Sequence, residues 1–209
     1  MPTIAEPPPT DGEIRRIRMG QEQSIGEVRD RMTAALSGSR MRDVLTVGEG
    51  CDRFATWLGQ AIRRQAVGGV RLAVPLDRRA GPWSFHRAGP PAGAGDLRIG
   101  AILADATRSP FPTASFDACV ASLMVDDCAD PAALVAELCR CCRPNGLIAL
   151  SGHGLDARPA WRGVVGILGA HHDHQLGLED IEVLLRDEPL EVVERWHDHH
   201  AWLRVARRT

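Results

Sequence analysis

The sequence predicts an α/β fold built on a mostly parallel sheet, and three observations carry that prediction. Phe116 to Met124 is an apolar run of strand length with Ala118-Cys119-Val120-Ala121 at its heart, as expected of a strand buried on both faces. A helical stretch follows, and Leu147-Ile148-Ala149-Leu150 then reads as a second buried strand, so the three make one right-handed crossover between parallel neighbours. Finally, Gly48-Glu49-Gly50-Cys51-Asp52 turns from the run Arg42 to Val47 into a helix from Arg53 to about Arg64. Glycines after a strand let the backbone approach a ligand closely, and a helix N-terminus favours negative groups.

Each element has its own signals. Met1 to Asp11 holds four prolines and few apolar residues, which reads as a disordered tail, with one domain over 12–209. Gly12 to Ser37 has helical spacing, with Ile14, Ile17, Val28, Met32 and Leu36 on one side and breaks expected near Gly20 and Gly26. Val70 to Leu76 reads as a second strand, short or irregular because of Pro75 and ending in Asp77. An acidic residue there suits ribose hydroxyls in a nucleotide-binding sheet, and equally suits a loop or N-cap carboxylate. Gly81 to Asp96 is too rich in glycine and proline for a helix, and Leu97 to Leu103 resumes as a strand leading to Asp105-Ala106.

The central crossover helix opens with Asp130 as N-cap and Pro131 at its first position. Leu134, Leu138, Cys141 and Cys142 form its apolar stripe, and Asn145-Gly146 is the expected stop. Ser151-Gly152-His153-Gly154 leaves the next strand at its carboxyl end, where open α/β sheets bind ligands. A last helix is expected from Leu178 to Leu185, and Leu190–Trp196 with Ala201–Ala206 alternate as two antiparallel strands.

At 209 residues the chain has the size of one α/β domain with a sizeable core. A formal charge of −2 leaves no electrostatic footprint for nucleic acid. No apolar run approaches the roughly 20 residues a membrane span needs, and no signal peptide opens the chain, so a cytoplasmic protein is expected. All 25 Lys/Arg positions are arginine and tyrosine is absent, which excludes lysine Schiff-base chemistry and tyrosine acid catalysis. The six cysteines, three of them on the central helix, read as small buried apolar residues in a reducing compartment.

The stretch Asp105 to Ser151 resembles the central block of class I S-adenosylmethionine-dependent methyltransferases, the small-molecule branch related to ubiquinone and menaquinone methyltransferases. Its landmarks are Asp105-Ala106, Pro110-Phe111-Pro112, Ser115-Phe116-Asp117, Asp130-Pro131 and Arg143-Pro144-Asn145-Gly146, in order. The resemblance implies a Rossmann-like three-layer sandwich with a seven-stranded, mostly parallel sheet whose last strand is antiparallel. It implies S-adenosylmethionine as cofactor, held by Gly48, Glu49, Gly50, Asp77, Asp105, Ala106 and Ser122, with Asp105 at the adenine amino group. The chain departs from the pattern at Thr46, where the family's strand carries an acidic residue, and at Asp52, where it has a third glycine. The end of the central strand reads Ser122-Leu123-Met124-Val125, without the Asn-Pro-Pro-aromatic signature of amino-methylating relatives, so oxygen or carbon acceptors are favoured.

Six of eight histidines fall in His171-His172-Asp173-His174 and His197-Asp198-His199-His200. Such clusters suit transition metals, but neighbours in a turn point apart, and solvated turn histidines at a sheet edge away from the cofactor are the expectation, with no metal assigned. His153 and His171 are the candidate general bases, because imidazole titrates near neutral pH. Two readings stand. One is methyl transfer from S-adenosylmethionine to an oxygen or carbon of a small molecule. The other is a catalytically inactive methyltransferase-like binding or partner protein, open to a His-based metal site, motivated by Thr46, Asp52 and the lost helix at 81–96. A homodimer or protein partner is compatible with either.

Overall fold

The computed structural model describes residues 10–37, 41–47, 72–76, 104–154 and 176–209. Their elements are α1 (Asp11–Ser37), β1 (Asp43–Val47), β2 (Leu72–Leu76), β3 (Phe116–Ala121), α2 (Pro131–Cys141), β4 (Cys142–His153), α3 (Leu178–Arg186), β5 (Leu190–His197) and β6 (Ala201–Arg208). The described strands form one mixed sheet in the order β2-β1-β3-β4-β6-β5. β1 pairs in parallel with β2 and β3, and β3 with β4. β6 runs antiparallel to both β4 and β5, so the last strand alone opposes the others among the described strands. The expected strand at 97–103 lies outside the described residues.

Strand alternation divides the core between the two faces. Leu45, Val47, Cys119, Ala121, Ile148 and Leu150 face one way and pack with Leu134, Leu138 and Cys141 of α2 and Ile181 and Leu185 of α3. Val44, Ala118, Val120, Leu147 and Ala149 face the other way, under Val28, Met32 and Leu36 of α1. Cys119, Cys128, Cys139, Cys141 and Cys142 are free thiols, all buried, and pack as apolar residues. Burial and the nearby Glu188 carboxylate push the Cys139 thiol up to about 12.

Two expectations are corrected. α1 runs unbroken through Gly20 and Gly26. A single interior glycine costs only about 1 kcal/mol relative to alanine, which the burial of Val28, Met32 and Leu36 outweighs. Gly20 also fills a packing need, since a Cβ there would lie 2.5 Å from Nε2 of His200. The second correction concerns α2, which ends at Cys141, before Asn145-Gly146, with Cys142 already extended. Pro144 disfavours helical backbone at Arg143, so the chain leaves the helix early. Asn145, in the irregular first part of β4, then takes φ 64°. The loop before β3 caps the helix end, as Ala114 N–H donates to Arg140 O and Ser115 N–H to Cys141 O. At the other end Asp130 accepts from Ala133 N–H at 3.0 Å, as expected of its N-cap.

Asp117 ties the amino ends of three strands together. Its carboxylate accepts from Arg42 N–H at 2.8 Å and Asp43 N–H at 3.0 Å, and pairs with Arg143, which also reaches Asp43. Burial pushes its pKa upward, but these donors outweigh it and hold the carboxyl below its ordinary value. At the opposite edge of the sheet, β5 carries a register shift at Val193. Such a bulge twists an exposed edge away from regular pairing with other chains.

Candidate functional site

The carboxyl ends of β1, β3 and β4 meet on one side of the sheet, and main-chain and side-chain bonds fix their spacing. Ser122 N–H, just past β3, donates to Val47 O at the end of β1 over 3.4 Å. The chain then turns sharply through Leu123, at φ 52°, into a short 3-10 turn over Val125–Asp127.

This turn and β4 clasp each other reciprocally. Leu123 N–H donates to Ser151 Oγ on β4 at 3.0 Å, and His153 N–H on β4 donates to Asp126 Oδ2 in the turn at 2.6 Å. Ser151 is fully buried and Asp126 is 5% exposed. A hydrogen bond to a buried carboxylate is stronger than a neutral one. Gly152 is required between them, because a Cβ there would enter the Asp126 carboxylate and sit 2.5 Å from Trp202 Nε1.

The β5–β6 hairpin reaches the same end of the sheet. Gly154 N–H donates to His200 O at 2.8 Å. Asp198 Oδ1 accepts from His200 N–H and Ala201 N–H, and its Oδ2 accepts from Ser24 Oγ of α1 at 2.5 Å. Burial raises the Asp198 carboxyl, but Ser24 and the two main-chain donors hold it below its ordinary value. His197 and His199 are exposed and His200 is half-buried against Gly20. The turn lies at the edge of the described sheet as expected, yet beside the carboxyl end of β4. No group of three His, Cys, Asp or Glu among the described residues is arranged to hold a metal. The cluster at His171–His174 lies outside those residues.

Asp105 and Ala106 open a loop that is fixed before it enters β3. Asp105 Oδ1 accepts from Thr107 N–H at 3.0 Å and Thr107 Oγ1 at 2.7 Å, and Arg108 N–H closes a turn on Asp105 O. Phe111 then packs edge-to-face on Phe116 at 4.9 Å between ring centroids. Cys128, just beyond the 3-10 turn, donates to Asp130 O at 3.3 Å, and burial pushes its thiol up.

Of the residues expected to hold a cofactor, Asp105, Ala106 and Ser122 are described, whereas Gly48, Glu49, Gly50 and Asp77 lie outside the described residues. His153 is described at the end of β4 and His171 is outside. The donor set fits an adenosyl group: Asp105 offers a carboxylate acceptor for an exocyclic amine, beside the buried apolar Ala106. Thr46, fully buried on β1, leaves its Oγ1 without a hydrogen-bond partner among the described residues. It stands where the resembling family carries a carboxylate. Sequence reasoning missed Asp126 and Ser151. The pair Asp126-Asp127 directly after an apolar strand was the available signal.

A family model described as a methyltransferase domain matches residues 45–150, just over half of the 209-residue chain. The chain belongs to the class I S-adenosylmethionine-dependent methyltransferase family. Among curated proteins, this methyltransferase-family chain is 35% identical over 95 residues to the biotin biosynthesis bifunctional protein BioHC of Teredinibacter turnerae. It is 39% identical over 69 residues to a malonyl-[acyl-carrier protein] O-methyltransferase of Serratia marcescens. These stretches cover 44% and 31% of the chain but only 16% and 27% of the two relatives.

Solved structures share the fold at low identity. A SAM dependent methyltransferase from Aquifex aeolicus superposes with TM-score 0.65 at 14% identity, covering 94% of this chain and 98% of that one. An S-adenosylmethionine dependent methyltransferase from Mesorhizobium loti gives 0.65 at 16%, covering 87% and 98%. A chain from the complex of the Haloferax volcanii Trm112 methyltransferase activator with a methyltransferase gives 0.62 at 17%, covering 95% of each.

Proposed function

We propose that this methyltransferase-family chain moves a methyl group from S-adenosylmethionine to an oxygen or carbon of a small molecule. The observation that carries the proposal is the clasp at the carboxyl edge, where Asp126 and Ser151 lock the turn after Ser122 to the strand ending at His153. Ligands in open α/β sheets bind in the crevice outside these strand ends. In support, one curated relative is named a malonyl-[acyl-carrier protein] O-methyltransferase. An oxygen acceptor is therefore the first to try.

In this reading Asp105 accepts from the adenine amino group, Ala106 lies against the ring, and Ser122 borders the cofactor with Gly48, Glu49, Gly50 and Asp77. The bound cofactor supplies an electrophilic sulfonium methyl group. The protein's own work is alignment, since holding two reactants in attack geometry accounts for a large part of such accelerations. His153 takes the proton of the acceptor hydroxyl, or orients a carboxylate acceptor that needs none. His171 is the second candidate for that role. The sheet completes to seven strands with 97–103, in a three-layer sandwich spanning 12–209, and a protein partner or second copy is in keeping with the activator complex of one fold neighbour.

Calorimetric titration of the purified protein with S-adenosylmethionine, followed by transfer assays with radiolabelled methyl and malonyl-acyl carrier protein, tests this. Binding with label transfer is expected. Binding without transfer would redirect the search for the acceptor, and an absence of binding at millimolar cofactor would favour the inactive binding protein.

A further inference from the structure

The loop that starts at Asp105-Ala106 is held from outside by one carboxylate on α2. Glu137 Oε1 accepts from Ser109 N–H at 2.7 Å and from Ser109 Oγ at 2.5 Å. Arg140, one turn later on α2, grips the same carboxylate through both oxygens, Nε to Oε2 at 2.8 Å and Nη2 to Oε1 at 2.7 Å. Its Nη2 also donates to Phe111 O at 2.8 Å, and its Nη1 to Thr113 Oγ1 at 3.3 Å. A bidentate pair of this kind fixes orientation as well as distance. The Glu137 side chain is only 11% exposed, against 35% for Arg140. Burial alone would raise its pKa, but Arg140 and the Ser109 donors hold the carboxyl below its ordinary value, so it is charged at neutral pH.

The chain of contacts leads back to Asp105 in four residues. Ser109 is fixed by Glu137, Arg108 N–H closes on Asp105 O, and Thr107 takes Asp105 Oδ1 twice. These bonds span the four residues between the α2 carboxylate and the Asp105 side chain. A surface carboxylate serving only α2 would have sufficed with Arg140 at i+3. This one is turned into the loop instead and satisfies a main-chain donor there.

We propose that Glu137 is a positioning residue, which sets the Asp105 carboxylate for the adenine end of the cofactor without touching the cofactor itself. The proposal rests on the reading of Asp105 given above. It predicts that Glu137 governs discrimination between nucleobases more than overall stability. The probe is S-adenosylhomocysteine against S-inosylhomocysteine, which presents a carbonyl where adenine presents its amino group, measured by calorimetry on the full chain. The wild type should prefer the adenosyl compound by at least about tenfold, the scale of one hydrogen bond to a charged group. Glu137→Ala should reduce that ratio to within about twofold, while Glu137→Gln, which keeps an acceptor for Ser109, should retain most of it.

Amide hydrogen exchange at Thr107 and Ser109, read without ligand, is the second measurement. Faster exchange in Glu137→Ala, with α1 and β6 protection unchanged, is expected. An unchanged ratio in a folded Glu137→Ala protein overturns the proposal, and so does unchanged exchange at Ser109. If the wild type shows no preference while the loop loosens as expected, the clamp stands, and both the assignment of Asp105 to the adenine and the positioning role built on it fall.

Discussion

Asp126 accepts the main-chain N–H of His153 at 2.6 Å, joining the turn after one central strand to the end of the next. Asp126 is almost wholly withdrawn from water and His153 is half-buried, so deleting the carboxylate leaves a part-buried donor without its acceptor. Asp126→Ala should therefore destabilise the fold by about 1–3 kcal/mol, and Asp126→Asn, which still offers an acceptor, by less. Urea titrations of the two variants check this. Equal losses would mean that the carboxylate's charge, and not its acceptor geometry, holds the turn.

Acid should unfold this protein through a small set of carboxylates. Asp117, Glu137, Glu182 and Asp198 are all held below their ordinary values, burial opposing and their arginine, hydroxyl and main-chain donors prevailing. For a carboxylate of lowered pKa the stabilisation is present above its unfolded value, about 4, and is lost as pH falls through the folded value. Thermal stability is expected to be flat down to about pH 5 and to drop below about pH 4. Asp117→Asn should shrink that acid-dependent drop, as read from melting temperatures at pH 7 and pH 3.5.

The two glycines of α1 should respond oppositely to alanine. A Cβ on Gly26 meets nothing within 4 Å among the described residues, so Gly26→Ala should stabilise by about 0.5–1 kcal/mol. At Gly20 the new methyl meets the His200 ring, and displacing it should cancel the propensity gain. Chemical denaturation of both single variants measures the difference. A gain at Gly20 equal to that at Gly26 would show that the His200 ring has room to move aside.

The elements that could be read from sequence are those whose signals are local. Asp130-Pro131 marked the start of α2, and the four-residue apolar hearts of β3 and β4 marked buried parallel strands, because capping and two-sided burial leave their print within a few residues. The end of α2 was misjudged because Asn145-Gly146 is a stronger stop signal than Pro144, although proline acts first by constraining the residue before it. The continuity of α1 depended on contacts with β6 and the hairpin, more than 160 residues away, which no window over Gly20 and Gly26 contains. The same applies to the site. Asp105, Ala106 and Ser122 are candidates only through a resemblance, whereas Asp126, Ser151 and Glu137 satisfy main-chain donors on another element, and that role has no motif.

The central claim is that the crevice beside Asp105 and Ser122 holds an adenosyl cofactor. Its most direct test is calorimetric titration of wild type and Asp105→Ala with S-adenosylhomocysteine. Saturable binding by the wild type is expected, with at least about tenfold weaker binding by the variant, the loss of one hydrogen bond to a charged group. Equal affinities, or no heat from either protein at millimolar ligand, would contradict it.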